Sequence, residues 1–214
     1  MLQTPLPADE AERGLVSVRA VDGSLQLDVR YATANNFLGR AVYPPAARDA
    51  VWLQRPAAEA LARVQSKLKG SGLGLLIFDG YRPLSVTRLF WEATPPPQRH
   101  FVANPATGSR HNRGCAVDLS LCRASNGSVS ELSFPSAFDE FSESAHSSWR
   151  GGTEQQRANR QMLRSAMEAE GFTVLAHEWW HFDYVGWERY PLLDVAFEEL
   201  ELARTQCETV PPQG

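Results

Sequence analysis

The sequence predicts an α+β domain with a central antiparallel sheet flanked by helices. Helical and strand-like hydrophobic patterns are both present, and they mix along the chain without strict strand–helix alternation, which disfavours a doubly wound sheet. The chain has 214 residues, 43% hydrophobic and 21% charged, enough for one well-filled core. It shows no internal repeat and no low-complexity tract. A single domain over residues 1–214 is therefore expected, with a loose arm through about Glu12 and a tail from about Thr205.

Each element has its own signal. Leu25 to Tyr31 alternates apolar and polar residues and predicts a strand. Ala34 to Pro45 has neither period and reads as a long loop. Pro56 to Lys69 predicts a helix: proline stands in the first turn, Leu61, Val64 and Leu68 form a stripe, and Gly70 stops it. Leu73 to Phe78 reads as a buried strand running into Asp79-Gly80-Tyr81-Arg82-Pro83. Val86 to Glu92 is helical, and the prolines at 95–97 end it. Ala116 to Leu121 is a further strand, and residues 123–152, rich in Ser and Gly, form a structured loop region. Thr153 and Gln156 make a capping box for a helix to Glu170, closed by Gly171. Phe172 to Val185 is aromatic and β-branched, hence a strand or hairpin, and Leu192 to Ala203 reads as a C-terminal helix.

Composition excludes some functions. A net charge of −4 gives no reason to expect nucleic acid or an anionic membrane as partner. The N-terminal residues have neither a positive nor an apolar signal region, and Leu73–Phe78, the longest aliphatic stretch, cannot span a bilayer. Three cysteines, Cys115, Cys122 and Cys207, make no disulfide framework. A cytoplasmic protein is expected.

Two segments carry the chemistry: Ser109-Arg110-His111-Asn112-Arg113-Gly114-Cys115-Ala116-Val117-Asp118 and His177-Glu178-Trp179-Trp180-His181. They supply imidazoles, a carboxylate and a spare glutamate, the inventory of a catalytic zinc site with three protein ligands, an open position and a base. The second segment matches H-E-x-x-H, which in a zincin lies on a helix with both histidines on one face. Here Gly171 has already ended the preceding helix, and the surrounding aromatic and β-branched residues favour a strand. Residues four apart on a strand lie about 13 Å apart, so only one of the two histidines can reach a given ion. Spacing leaves open which one. Glu178 and His181, three apart, fall on opposite faces of a regular strand, and a bulge would bring them to one cavity. Gly114 lets the chain turn tightly between His111 and Asp118.

The string Ser109-x-His111-x-x-Gly114-x-Ala116-x-Asp118, followed by Glu178-x-x-His181, resembles the zinc D-alanyl-D-alanine dipeptidases of the VanX type, within the wider group of D,D-peptidases and Hedgehog-like domains. Tyr31-Ala32-Thr33-Ala34-Asn35-Asn36-Phe37, Phe78-Asp79-Gly80-Tyr81-Arg82-Pro83 and Phe138-Asp139-Glu140-Phe141-Ser142-Glu143 share the likeness, which runs from about Val29 to Tyr190. The resemblance implies a Hedgehog/D,D-peptidase-like fold and one Zn2+ per chain held by His111, Asp118 and His181. It implies Glu178 as general base and acid, and Arg82 as the cation at the developing oxyanion. Out of that context Arg82 would read as a salt-bridge partner of Asp79. Asp139 is implied as partner of the substrate ammonium. Ser109 and Tyr31 are weaker candidates for holding substrate, and Tyr81 another for lining the pocket. Cys115 reads as a small core residue, and His100 and His146 as surface residues. The implied substrate is a small dipeptide, D-Ala-D-Ala, with roles in glycopeptide resistance, wall recycling or D-alanine scavenging and room for a homodimer. The rival activities are a D,D- or L,D-carboxypeptidase on muropeptide stems, or a non-catalytic Hedgehog-like zinc domain.

Overall fold

A computed structural model describes residues 6–125 and 127–209. Helix α1 (Ala8–Arg13) leads into strand β1 (Leu15–Ser17) and a short helix α2 (Val18–Val21). Residues 8–12 are thus not a loose arm: Ala11 is fully buried, and the Leu6 N–H donates to the Arg189 carbonyl at 2.7 Å. Strand β2 (Gln26–Leu27) is much shorter than the alternation at 25–31 suggests, because the chain turns into a 3-10 helix at Arg30–Ala32 that buries Tyr31. Strand β3 (Trp52–Gln54) pairs with β1 in a separate two-stranded sheet. It feeds helix α3 (Arg55–Lys69), whose Leu61, Val64 and Leu68 stripe is buried.

The main sheet is built on strand β4 (Gly74–Asp79), buried along its whole length. Helix α4 (Leu84–Ala93) follows Pro83. Strand β5 (Ala116–Ser125) pairs with strand β6 (Ser128–Glu131), so the segment after 123 begins as a hairpin before becoming loop. Helix α5 (Glu154–Glu168) carries the expected reciprocal cap between Thr153 and Gln156. Strands β7 (Phe172–Leu175) and β8 (Glu178–Tyr184) form a hairpin. The sheet order is β2-β4-β5-β8-β7, with β6 on β5. The expected antiparallel sheet holds for every pair except β2 with β4, which is parallel.

Helix α6 (Phe197–Thr209) starts five residues after the expected Leu192 and extends into the expected tail. Tertiary hydrogen bonds override the local helical pattern there. Leu193 N–H donates to the Asn112 carbonyl, its carbonyl accepts from Leu84 N–H, and Val195 N–H donates to the Tyr81 hydroxyl. The pre-helix segment thereby braces the two loops that carry Arg82 and His111. Helix α3 packs on β4 and α5, and α5 on β7, β5 and β8. Loop residues close the core elsewhere: the Phe138 ring meets Phe78 on β4 and Trp180 on β8. Among the described residues no helix is long and apolar enough to cross a membrane.

Candidate active site

Strand register assembles the site. Asp118 on β5 lies directly opposite His181 on β8. Cross-strand partners share a face of the sheet, so sequence separation of 63 residues becomes side-chain contact. Two irregularities complete the arrangement. Between β4 and β5 the register shifts past Phe78, setting Asp79 opposite Asp118. Between β7 and β8, one step from Val174 to Leu175 spans Phe182 to Glu178. Trp179, Trp180 and His181 thus form a bulge that brings Glu178 within 3.9 Å of His181.

His111 comes from a 3-10 turn ended by Gly114 at φ 65°. A Cβ at Gly114 would sit 2.4 Å from Leu15 Cδ2, so both the left-handed backbone and the close approach demand glycine. The buried Asn112 ties this turn to the next loop: its side-chain amide donates to the Arg82 carbonyl at 2.7 Å and to Thr87 Oγ1 at 2.8 Å. Arg82 N–H in turn donates to the His111 carbonyl.

Among the described residues, His111, Asp118 and His181 are the one group that could hold a metal ion, and all three are buried. His111 Nε2 lies 3.1 Å from His181 Nδ1 and 3.3 Å from Asp118 Oδ1, and His181 Nδ1 lies 2.9 Å from Asp118 Oδ1. Ligands about 2.0–2.2 Å from one tetrahedral zinc stand roughly 3.3 Å apart, so the spacing fits. Hydrogen bonding fits as well. His111 Nδ1 donates to the Gly80 carbonyl at 2.7 Å, and His181 Nε2 to Asp183 Oδ1 at 2.9 Å. Each bond fixes a proton on the far nitrogen and turns the other lone pair toward the cluster. Two lone pairs and a carboxylate oxygen then converge on one point, which calls for a cation. Without a metal a proton serves. Burial opposes the His181 imidazolium, but hydrogen bonds to Asp118 and Asp183 and their charges outweigh it and raise its pKa to about 10. Burial would likewise raise Asp118, yet the charge and hydrogen bonds of the two imidazoles hold it well below the usual carboxylate range.

The cluster forms one wall of a cavity of about 720 Å³, which also takes in Arg82, Glu178, Asp139, Ser109 and Tyr31. Arg82 donates through Nε and Nη2 to Asp79 Oδ2 at 3.1 and 2.7 Å, while Nη2 stands 3.9 Å from Asp118. The salt bridge expected from sequence is therefore present, and the guanidinium also borders the cluster. Burial works against its charge, but Asp79 and its neighbours keep it firmly protonated. Burial raises the Glu178 carboxyl above its usual range, against the pull of His181. Asp139 stands at φ 59°, a left-handed conformation, and accepts from the Tyr31 hydroxyl at 3.1 Å through Oδ1. Its Oδ2 is buried without a partner, and burial, reinforced by the charge of Asp118, pushes its pKa up to about 8. Ser109 Oγ accepts from His111 N–H. Tyr81 is engaged elsewhere, with Val195, and does not line the cavity.

His177 is exposed in the hairpin turn and stands outside the donor cluster, its ring 5.0 Å from that of His146. His100 is exposed, as expected, and His146 is half-buried; both line the cavity. Cys115 is fully buried, as a core residue should be. Sequence reading missed Asp183, although it lies two residues from His181 on the same strand, where period two places it alongside. Asn112 had no sequence signal.

Buried imidazole and carboxylate donors converging beside a glutamate and an arginine define a metal-dependent hydrolase site in outline. Comparison with known proteins makes the class specific. The chain belongs to the M15 peptidase family: the family model described as D-ala-D-ala dipeptidase matches residues 11–198. It is 36% identical over 179 residues to the D-alanyl-D-alanine dipeptidase of Escherichia coli strain K12, covering 84% of this chain and 89% of the relative. It is 31% identical to that of Enterococcus faecalis, covering 84% and 95%. Among solved structures it is similar to the LdcB LD-carboxypeptidase at 18% identity, with TM-score 0.47 over 87% of this chain and 75% of that one.

Proposed function

We propose that this chain is a zinc dipeptidase that splits D-alanyl-D-alanine into two molecules of D-alanine. One zinc is held by His111, Asp118 and His181. Family membership supports the reaction class. The observation that carries the dipeptidase reading is the buried, unpartnered Asp139 Oδ2 in the cavity of the donor cluster. A free ammonium group is the partner that would draw such a buried carboxyl into its charged form, and a dipeptide always brings one.

Zinc held by His111, Asp118 and His181 would supply Lewis acidity toward the scissile carbonyl and toward water. The chain's own groups do the rest. Glu178 takes a proton from the attacking water and delivers it to the leaving amine, a role that its raised pKa suits. Arg82, locked by Asp79, presents its donors to the negative charge that grows on the carbonyl oxygen. Asp139, held by Tyr31, fixes the ammonium end. Ser109 accepts from His111 N–H and keeps its own hydroxyl proton for the substrate.

A carboxypeptidase needs chain on the amine side, where Asp139 would be left unpaired. Turnover of D-Ala-D-Ala, N-acetyl-D-Ala-D-Ala and L-Ala-L-Ala, with and without chelator, tests the reading. The free D,D-dipeptide should be far the best substrate, and chelator should abolish its turnover. Asp139→Asn should narrow the gap between free and acetylated dipeptides. Comparable kcat/KM for the two would make the protein a carboxypeptidase, and no turnover at all would leave a zinc-binding domain.

A further inference from the structure

The cavity is larger than D-Ala-D-Ala requires. That dipeptide has roughly eleven non-hydrogen atoms; even at the ~30 Å³ that a water occupies in the liquid, each atom counted generously, it fills ~330 Å³. The cavity measures about 720 Å³. The surplus has an apolar side. Phe37, Phe101 and Phe141, from three separate segments of the chain, line the cavity half-buried. Phe101 and Phe141 stack in parallel at 4.6 Å, and Phe37 meets Phe141 at 5.4 Å.

This wall is continuous with the ammonium end. Tyr31, whose hydroxyl holds Asp139, touches Phe37 edge-on at 6.4 Å, and Asp139 and Phe141 share one loop two residues apart. In a dipeptide, the amino-terminal side chain branches from the carbon that bears the ammonium. If the ammonium sits on Asp139, that side chain starts beside the phenyl rings. We infer that the site takes D,D-dipeptides whose amino-terminal residue carries a bulky apolar side chain, packed against Phe37, Phe101 and Phe141. The inference rests on the dipeptidase reading and on the place it gives to Asp139. Half-buried phenyl rings gain by being covered.

The experiment compares kcat/KM of the zinc-loaded protein for D-Ala-D-Ala, D-Leu-D-Ala and D-Ala-D-Leu. D-Leu-D-Ala should equal or exceed D-Ala-D-Ala and lead D-Ala-D-Leu by about tenfold, the usual worth of an apolar contact in a pocket. Phe141→Ala, or Phe101→Ala should the first fail to fold, should lower the ratio of D-Leu-D-Ala to D-Ala-D-Ala by about tenfold. D-Leu-D-Ala cleaved less well than D-Ala-D-Ala, a preference for D-Ala-D-Leu, or a ratio unmoved by the substitutions would overturn the inference and leave the dipeptidase reading intact. Failure to cleave D-Ala-D-Ala as well would overturn both.

Discussion

Among single side chains, Glu178 and Arg82 make the sharpest demands. Glu178→Gln keeps the shape of the side chain and removes the proposed base. Zinc content should be unchanged while kcat falls by roughly 10²–10⁴; near-normal turnover in the zinc-loaded variant would refute the role. Arg82 is harder to isolate, because Asp79 depends on it. Arg82→Ala strands a buried carboxylate, which costs about 3–5 kcal/mol in stability. Replacing both, Arg82→Ala with Asp79→Asn, should recover much of the melting temperature and none of the kcat. If kcat returns with the stability, Arg82 is a structural cation only. Arg82→Lys should rescue partly, since lysine lacks the planar fork.

The secondary elements decide which histidine joins the donor cluster. His181 stands across the ladder from Asp118, whereas His177 lies in the turn before β8. His181→Ala should therefore lose equimolar zinc and His177→Ala should keep it; the reverse result would undo the assignment. Much of this was legible in the sequence. The capping box at Thr153, the buried strand ending at Asp79 and the hairpin at 172–185 follow local rules of period and turn chemistry. The grouping of His111, Asp118 and His181 was legible through the wider string that resembles a known family, since spacing alone left His177 and His181 open. What escaped depends on partners distant in the chain. The register shift at Phe78 exists only relative to a neighbouring strand, and nothing local announces it; the bulge at Trp179–His181 was raised from the three-residue spacing of Glu178 and His181, but its register against β7 was not. The delayed start of α6 has the same origin, since residues 192–196 spend their hydrogen bonds on the site loops rather than on a helix.

For the molecule as a whole, a metal on the donor cluster would tie folding to metal and to pH. In the metal-free fold His181 holds its proton to about pH 10, against about 6.5 for a free imidazole. That raised value contributes stability which is complete below about pH 6.5 and is lost as pH rises through 10. Zinc needs the neutral imidazole and must displace this proton, a demand that eases as pH rises. The gain in melting temperature from a fixed excess of free zinc should therefore widen from pH 6 to pH 8, by at most about 1.4 kcal/mol of added stability per pH unit. Thermal unfolding at three pH values checks it, and a gain that is flat or shrinks would contradict the linkage. The bulge in β8 also bears on how this fold is inherited. Because side chains alternate along a strand, Glu178 and His181, three apart, share a cavity only while the bulge persists; a change that straightened it would leave an aromatic, β-prone stretch that still pairs, while turning one of the two polar groups away from the other. A descendant with that change would keep both letters and its folded sheet yet part the two groups. The bulge, not the letters alone, is the heritable trait.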